Sequence, residues 1–291
     1  MAEQARVAAV TMVRDEAFWL PRWIAHYSRE CGSPERLLVI DDNSSDGSTD
    51  DLPCPVVRIP PLRDGSSFEG TRMRLVSALA AGLLEVHEAV LFADADEFLV
   101  ADPAKHETLA DFVTANPDPP VFGAVGLNVL HHPTEPGLRP DQPLLAQRGL
   151  ATFLSLMCKP ALKRVPAAWG WASHGIRSPF AVHPDLFLFH AKFADRDLLR
   201  SSAEHRRALV EMDGRAARTN WSEGADPALA VLDRMSDVDP AKVLEFRVTA
   251  DLVADVVRHK GRLHRAIGLG QMKATATNPV VRIPERFADR V

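Results

Sequence analysis

The chain has 291 residues, 46% of them hydrophobic, which is enough apolar content to bury a sizeable core. Its formal net charge of -5 argues against a nucleic-acid-binding protein, because such domains usually carry a basic surplus. The three cysteines show neither metal-ligand spacing nor an even number for disulfides, which favours buried thiols in a reducing compartment. With no apolar run of the ~18 residues that a membrane span needs, and no signal-peptide core, we expect a cytoplasmic protein without a transmembrane segment.

The first hundred residues alternate between apolar runs of strand length and stretches with helical periodicity. The predicted elements, in order, are a strand at 6–13, an amphipathic helix ending near Glu30, strands at 36–41 and 56–59, a helix at 68–86 and a strand at 89–93. Alternating strands and helices predict an α/β fold with a mostly parallel, Rossmann-like sheet flanked by helices.

The pattern changes from about residue 121 onward. Short β-rich segments at 121–130 and 186–190 flank a proline-rich loop at 131–147, and helical stretches follow at 195–212 and 240–259. We therefore expect one domain over 1–212, made of a nucleotide-binding half (1–120) and an acceptor half (121–212). A helical C-terminal extension is expected over 213–291.

Carboxylates end two of the predicted strands, where an open α/β sheet binds its ligands. Asp94 and Asp96 would share one face of a fully extended strand, and two convergent carboxylates favour a bound cation over a bare acidic turn. Mg²⁺ or Mn²⁺ suits such hard oxygen ligands. The segment from Asp42 to Gly47 begins like an EF-hand loop, but Pro53 stands at the twelfth position and a strand precedes it, which leaves an Asx-rich turn as the alternative.

Three motifs in order resemble those of glycosyltransferase family 2, nucleotide-sugar-dependent enzymes of the GT-A fold. They are the opening strand through Thr11-Met12-Val13-Arg14-Asp15-Glu16, the segment Asp41-Asp42-Asn43-Ser44-Ser45-Asp46-Gly47, and Asp94-Ala95-Asp96. The resemblance covers roughly the first third to half of the chain. It implies a metal-dependent, inverting transfer of a sugar from a nucleoside diphosphate donor, expected to be UDP-linked, to a hydroxyl of a saccharide or other acceptor.

The resemblance also implies roles for individual residues. Asp42 would bind the nucleotide base, Asp94 the ribose hydroxyls, and Asp96 the metal, with Glu97 in a supporting role. The remaining donor-binding residues that it implies are Thr11, Val13, Arg14, Glu16 and Arg72.

His190 ends an alternating apolar strand and is followed by Lys192, so both side chains share one face if the strand continues. By resemblance to GT-A enzymes with a late histidine near the metal, His190 would be a metal ligand and Lys192 would lie near the phosphates; an ordinary structural histidine is the alternative. No acidic motif identifies the general base, and His174, Asp185 and Asp195 remain open as candidates. The tryptophans around His174, at 169 and 171, favour a sugar platform.

Two other functions stay open at this stage. A sugar nucleotidyltransferase would use similar carboxylates, but it normally has a glycine-rich phosphate loop after the first strand, where this chain has Arg14-Asp15-Glu16. A catalytically silent nucleotide-sugar-binding protein would fit the missing base. A glycoside hydrolase is less favoured, because two carboxylates one residue apart on one strand would not flank a scissile bond on opposite faces of a sugar.

Overall fold

The computed structural model describes residues 5–62, 68–170, 172–214, 216–217, 220–254, 256–266 and 280–291. Its strands are β1 (Val7–Val13), β2 (Leu37–Asp41), β3 (Val56–Arg58), β4 (Ala89–Phe92), β5 (Glu97–Ala101), β6 (Val121–Leu130), β7 (Leu150–Phe153), β8 (Pro160–Lys163), β9 (Trp169–Gly170), β10 (Gly175–Ile176), β11 (Ala181–Phe193), β12 (Val257–Lys260), β13 (Leu263–Ala266) and β14 (Val280–Arg282). Its α-helices are α1 (Trp19–Cys31), α2 (Phe68–Leu83), α3 (Leu109–Ala115), α4 (Leu144–Gln147), α5 (Arg196–Asp213), α6 (Asp226–Ser236) and α7 (Ala250–Val253).

The N-terminal half builds a parallel unit with the strand order β3-β2-β1-β4. The order reverses next to β1, so a crevice opens between the carboxyl ends of β1 and β4, which is where open α/β sheets bind ligands. The strands of this unit are short apolar runs, and β1, β2 and β4 are buried along their whole length. The predicted fold class, α/β with a Rossmann-like sheet flanked by helices, is confirmed.

Further strands extend this sheet with both directions of pairing. Beyond β4 the sheet continues with antiparallel pairs, in the order β8, β6, β7 and β14. The long β11 runs parallel to β6 and antiparallel to β5. β11 therefore carries residues 190–193 to the edge of the crevice. A smaller sheet of β12, β13, β10 and β9 flanks it.

The amphipathic stripe predicted for the first helix packs as expected. Trp19, Leu20, Trp23, Ile24 and Tyr27 are buried in the main core, and Gly32 ends α1 in the left-handed region at φ 86°. The three cysteines are free and buried. A second hydrophobic cluster lies between α5, α6 and the strand ends, and includes Phe193, Leu199, Leu229 and Leu232.

The C-terminal segment differs from the helical extension that the sequence predicts. Residues 240–259 hold a 3-10 turn, the four-residue α7 and the start of β12. Phe246 explains the difference, because its N–H donates to the Arg282 carbonyl (2.8 Å) and its ring stacks on Phe153. Tertiary pairing with β14 thus outweighs the helical periodicity of this segment. The predicted helices at 68–86 and 195–212 are confirmed as α2 and α5, and the 131–147 loop is confirmed except for α4.

Candidate active site

A cavity of about 280 Å³ opens at the crevice between β1 and β4. Its walls come from the end of β1, Asp42 after β2, the start of α2, the turn between β4 and β5, the loops that carry Met157 and His174, the end of β11, one face of α5, and Trp221. Of the predicted site residues, those that line it are Val13, Arg14, Glu16, Asp42, Arg72, Asp94, Asp96, His174, His190 and Lys192. Residues distant in sequence thus converge on one crevice.

The Asp94-Ala95-Asp96 signature forms a turn instead of continuing β4, which ends at Phe92. The Glu97 N–H donates to the Asp94 carbonyl at 2.9 Å, and this closes the turn. The two carboxylates consequently face different partners, Arg72 for Asp94 and His190 for Asp96. The prediction that they share one strand face is wrong, because the strand stops two residues before Asp94.

Arg72 neutralises Asp94 directly. Its guanidinium donates to the Asp94 carboxylate and, at 3.3 Å, to Glu69 of the same helix. Burial raises the pKa of Asp94, but the charge and hydrogen bond of Arg72 outweigh it, and the net shift is downward. Asp94 therefore already has a cation and is free to accept hydrogen bonds from hydroxyl groups through its other lone pairs.

Asp96 faces the imidazole of His190, with 3.5 Å between Oδ2 and Nε2. On the other side of the ring, Nδ1 lies 2.8 Å from the Oδ1 of the buried Asn128. A neutral ring that donates Nδ1–H to Asn128 carries its lone pair on Nε2, which then faces a carboxylate oxygen. When the ring also carries a proton on Nε2, its charge and hydrogen bond, together with the charges of Arg206 and Lys159, lower the pKa of Asp96 by more than burial raises it, and the ionised carboxylate pairs with the ring.

The Asp96–His190 pair fits a divalent cation. Two electron-pair donors that face each other are stabilised by a cation between them or by a proton on the ring. In addition, a metal-ligating histidine usually has its second ring nitrogen held by a hydrogen bond, as Nδ1 of His190 is here. Their 3.5 Å separation is close to the ~3 Å between neighbouring ligands around a small octahedral ion. Within the described ranges, no three His, Cys, Asp or Glu side chains form a metal-binding group, so further ligands would have to come from a substrate or water.

Below the turn, Lys159 forms a buried ion pair that sequence reasoning missed. Its Nζ lies 2.6 Å from both carboxylate oxygens of Glu97 and 2.9 Å from the hydroxyl of Ser173. Glu97 in turn accepts the Asp94 N–H at 3.2 Å. Lys159 has no helical or alternating pattern around it that could have singled it out, since it follows a 3-10 turn at Ser155–Met157.

Cations surround the open side of the cavity. Lys192 and Arg206 line it from β11 and α5, and burial together with the charge of Arg206 lowers the pKa of Lys192. Glu16 lies on the opposite wall, where burial and the Asp96 carboxylate raise its pKa to about 7. Arg206 could not be predicted as a site residue, because the pattern of its helix does not indicate which face meets the crevice.

Asp42 lies at the end of β2 and is buried, with its Oδ1 accepting the Leu62 N–H at 3.1 Å. Its neighbour Asp41 is committed to structure, since it accepts hydrogen bonds from Arg58 (2.6 Å) and the Ser44 N–H (2.7 Å). Arg14 donates to the Asp42 carbonyl at 3.3 Å, which ties the two strand ends together.

Among the three candidates for a general base, the structure brings only His174 to the cavity. Its Nδ1 lies 2.9 Å from the Leu156 carbonyl, and burial, together with the charge of Lys159, lowers its pKa to about 4. A neutral ring that donates Nδ1–H to that carbonyl keeps Nε2 as a proton acceptor.

The other two candidates serve the fold elsewhere, and both expectations are corrected. Asp185 accepts a hydrogen bond from Lys105 at 2.7 Å, outside the cavity. Asp195 caps α5 by accepting the N–H groups of Asp197 and Leu198, because the start of a helix leaves such donors without partners.

Two further expectations are also revised. Thr11 is fully buried within β1 and does not line the cavity, since Met12 and Val13 are the β1 residues that do. Trp169 is buried against Phe92 and Lys163, so its ring is no sugar platform, and Trp171 lies outside the described residues. No helix in the described part of the chain is long and apolar enough to span a membrane.

Comparisons with known proteins return solved structures alone. No protein family profile matches the chain, and no curated protein sequence does. A mannosyltransferase from Pyrobaculum calidifontis, solved with GDP-Man and Mn²⁺, is 20% identical over 45% of this chain and 36% of its own, with a TM-score of 0.28. S. aureus TarS is 13% identical over 69% of this chain and 40% of its own, with a TM-score of 0.35.

A third similar structure, mannose-1-phosphate geranyltransferase from Thermus thermophilus, is 13% identical over 75% of this chain and 68% of its own, with a TM-score of 0.30. The chain thus covers well under half the length of the first two proteins. Similarity at this level carries no argument about activity, which has to come from the site itself.

Proposed function

We propose that this protein is a divalent-metal-dependent glycosyltransferase that moves a sugar from a nucleoside diphosphate sugar to an acceptor hydroxyl. The observation that carries the proposal is the pair formed by Asp96 and His190, whose Nδ1 is anchored on Asn128, in a crevice that also presents Lys192 and Arg206. An anionic carboxylate, a neutral imidazole and two cations together suit a metal-bound diphosphate.

Each residue would have a separate task. Asp96 and the His190 Nε2 would hold Mn²⁺ or Mg²⁺, which when bound neutralises the charge that develops on the leaving diphosphate. Lys192 and Arg206 would bind phosphate oxygens and stabilise the same charge. Asp94, already neutralised by Arg72, would accept hydrogen bonds from the ribose, while Asp42, with Val13 and Arg14 beside it, would contact the base.

Of the three predicted bases, His174 is the one that lines the cavity, and we assign it as the general base. It lines the cavity with a neutral ring whose Nδ1 is occupied by the Leu156 carbonyl, so that Nε2 can take a proton from an acceptor hydroxyl. A single displacement with such a base would invert the anomeric centre. Glu16, which also lines the cavity and whose pKa the Asp96 carboxylate raises, would assist in donor binding.

The test measures binding of UDP-, GDP- and dTDP-sugars and the release of nucleoside diphosphate from them, each with Mn²⁺ or with EDTA. We expect metal-dependent binding of one nucleoside diphosphate, and at least a hundredfold loss of that affinity in Asp96→Asn. Asp185→Asn is the matched control, because this carboxylate pairs with Lys105 outside the cavity and its loss should leave binding unchanged.

The products separate the alternatives. Release of pyrophosphate from a nucleoside triphosphate would identify a sugar nucleotidyltransferase instead. Tight donor binding without any product would identify a binding protein. Equal affinities in Asp96→Asn and the native protein would remove Asp96 from the site.

A further inference from the structure

A second cavity, of about 480 Å³, adjoins the first. The two share Met157, His174, His190, Lys192, Arg206 and Trp221 along their common boundary. The second cavity therefore begins where the metal pair and the candidate base lie, and it extends away from the nucleotide side. A molecule held in it would have one end at the reacting centre.

The walls beyond that boundary are mostly carbon. Helix α5 contributes Leu199 and Ala203, and helix α6 contributes Ala228 and Val231. Phe193 closes the cavity on the β11 side and belongs, with Leu199, to the second hydrophobic cluster. These side chains present no hydrogen-bonding group to a ligand.

Polar groups in this part of the lining are few. Apart from backbone atoms, the described lining residues beyond the boundary include two polar side chains, Asn128 and Glu223. Asn128 is already engaged with His190 through its Oδ1. A hexose buried here would bring a hydroxyl on almost every ring carbon, and each one left without a partner would lose its hydrogen bonds to water without replacement.

We propose that the second cavity binds the acceptor, and that the acceptor is a hydroxyl compound with an apolar body, such as a phenol or a hydrophobic alcohol. This inference rests on the proposed function and names its substrate class. The volume is in the range of sites that enclose a small organic molecule. The hydroxyl would lie at the boundary beside His174, and the apolar body would pack between α5 and α6.

The transfer that follows is balanced. The acceptor oxygen forms a bond to the anomeric carbon of the donor sugar as the bond from that carbon to the diphosphate oxygen breaks. The acceptor proton moves to the His174 imidazole, and the bonding electron pair leaves with the nucleoside diphosphate.

The experiment compares hydroxyl acceptors of different polarity, with cyclohexanol as the apolar alcohol and 4-methylumbelliferone as the apolar phenol. With Mn²⁺ and the donor that binds best, product formation is measured for 4-methylumbelliferone and cyclohexanol against glucose and maltose. Direct binding of 4-methylumbelliferone is measured without donor, with the fluorescence of the compound as the readout. We expect transfer to the apolar compounds, and binding that needs no nucleotide.

Variants locate the site. Ala228→Trp fills the cavity, and Ala230→Trp is the matched control on the exposed side of the same helix. We expect Ala228→Trp to weaken 4-methylumbelliferone binding at least tenfold while nucleoside diphosphate affinity stays unchanged, and Ala230→Trp to behave as the native protein. Ala203→Phe, which fills the cavity from α5, replaces Ala228→Trp if that variant does not fold.

The outcomes are distinct. Transfer to glucose or maltose but not to the apolar compounds would overturn the inference and leave the proposed function intact. Unchanged 4-methylumbelliferone binding in both cavity-filling variants would also overturn it. If no nucleoside diphosphate sugar binds, the proposed function fails, while nucleotide-independent binding that Ala228→Trp abolishes would still support an apolar ligand in this cavity.

Discussion

One hydrogen bond decides what the His190 ring offers to Asp96. With Nδ1–H donated to Asn128, a neutral ring keeps its lone pair on Nε2, and the ring orientation is fixed before any ligand arrives. The sequence indicates His190 through its place at the end of an alternating strand. It does not indicate Asn128, which lies 62 positions earlier on a neighbouring strand and meets the ring only because β6 and β11 pair in register.

The substitution Asn128→Leu should therefore weaken Mn²⁺ affinity in the presence of a nucleoside diphosphate by about 10- to 100-fold, as losses of such supporting groups commonly do. Isothermal titration on the folded protein measures it. Asn116→Leu, outside both cavities, serves as the control. Unchanged affinity in Asn128→Leu would show that the ring needs no anchor.

Glu16 makes stability depend on pH. Burial and the neighbouring Asp96 raise its pKa from 4.5 to about 7, so the folded state binds this proton more tightly than the unfolded state does. The contribution of protonated Glu16 to the free energy of unfolding is therefore full at pH values below the pKa of this group in the unfolded state. It decreases, by up to about 3 kcal/mol, as pH rises through the pKa in the folded state.

We expect Glu16→Gln to flatten this part of the pH profile, since the amide has no proton to lose. Urea unfolding without added metal at several pH values between ~5 and ~8, which bracket the shift, gives the free energy of unfolding for both proteins. The native protein should lose stability relative to Glu16→Gln as pH rises. Parallel profiles would mean that Glu16 titrates with an ordinary pKa.

At the scale of elements, the buried ion pair of Lys159 and Glu97 joins two segments that carry site residues. It fixes the turn with Asp94 and Asp96 to the residues next to His174, through Ser173, whose backbone adopts φ 68°. Such a link keeps the candidate base at a constant distance from the metal pair. Neither segment has regular structure of its own to do this.

Lys159→Met should destabilise the protein by about 3 to 5 kcal/mol, because it leaves the Glu97 carboxylate buried without its partner. Adding Glu97→Gln to that variant should restore a large part of the loss, since the uncompensated charge is removed. Urea unfolding of the two single variants and the double variant gives the coupling energy. A double variant no more stable than Lys159→Met would show that charge burial is not the cause.

A strand or helix could be predicted from the sequence where the hydrophobic pattern of its own residues is enough to identify it. The strands β1, β2 and β4 are buried apolar runs that end in polar residues, and α1 has a buried stripe at helical spacing. The segment around Phe246 has a misleading helical period, because its partners, Phe153 and Arg282, come from other parts of the chain. A pattern over neighbouring residues does not predict a contact between residues that are far apart in the sequence.

For the molecule as a whole, the candidate site draws on residues from Met12 to Trp221. The carboxylates at the strand ends could be predicted because the ends of parallel strands converge on one edge of the sheet. The cations could not all be found, since Arg206 reaches the crevice only through the packing of α5, and Lys159 reaches Glu97 beneath it only through the loop before β8. Asp185 and Asp195 were plausible by residue type and were excluded only by where the chain places them.

The free edge of the main sheet at β3 has a consequence for self-association. Val56 and Val57 are 36% and 38% exposed there, on a strand of three residues whose pairing within the described ranges is with β2. Pro55 precedes the strand, and Pro60 and Pro61 follow Ile59; none of these prolines can donate a backbone hydrogen bond. A strand from another molecule would have too few backbone donors and acceptors to pair with at this edge. We therefore expect the apolar edge to stay exposed to solvent without promoting aggregation.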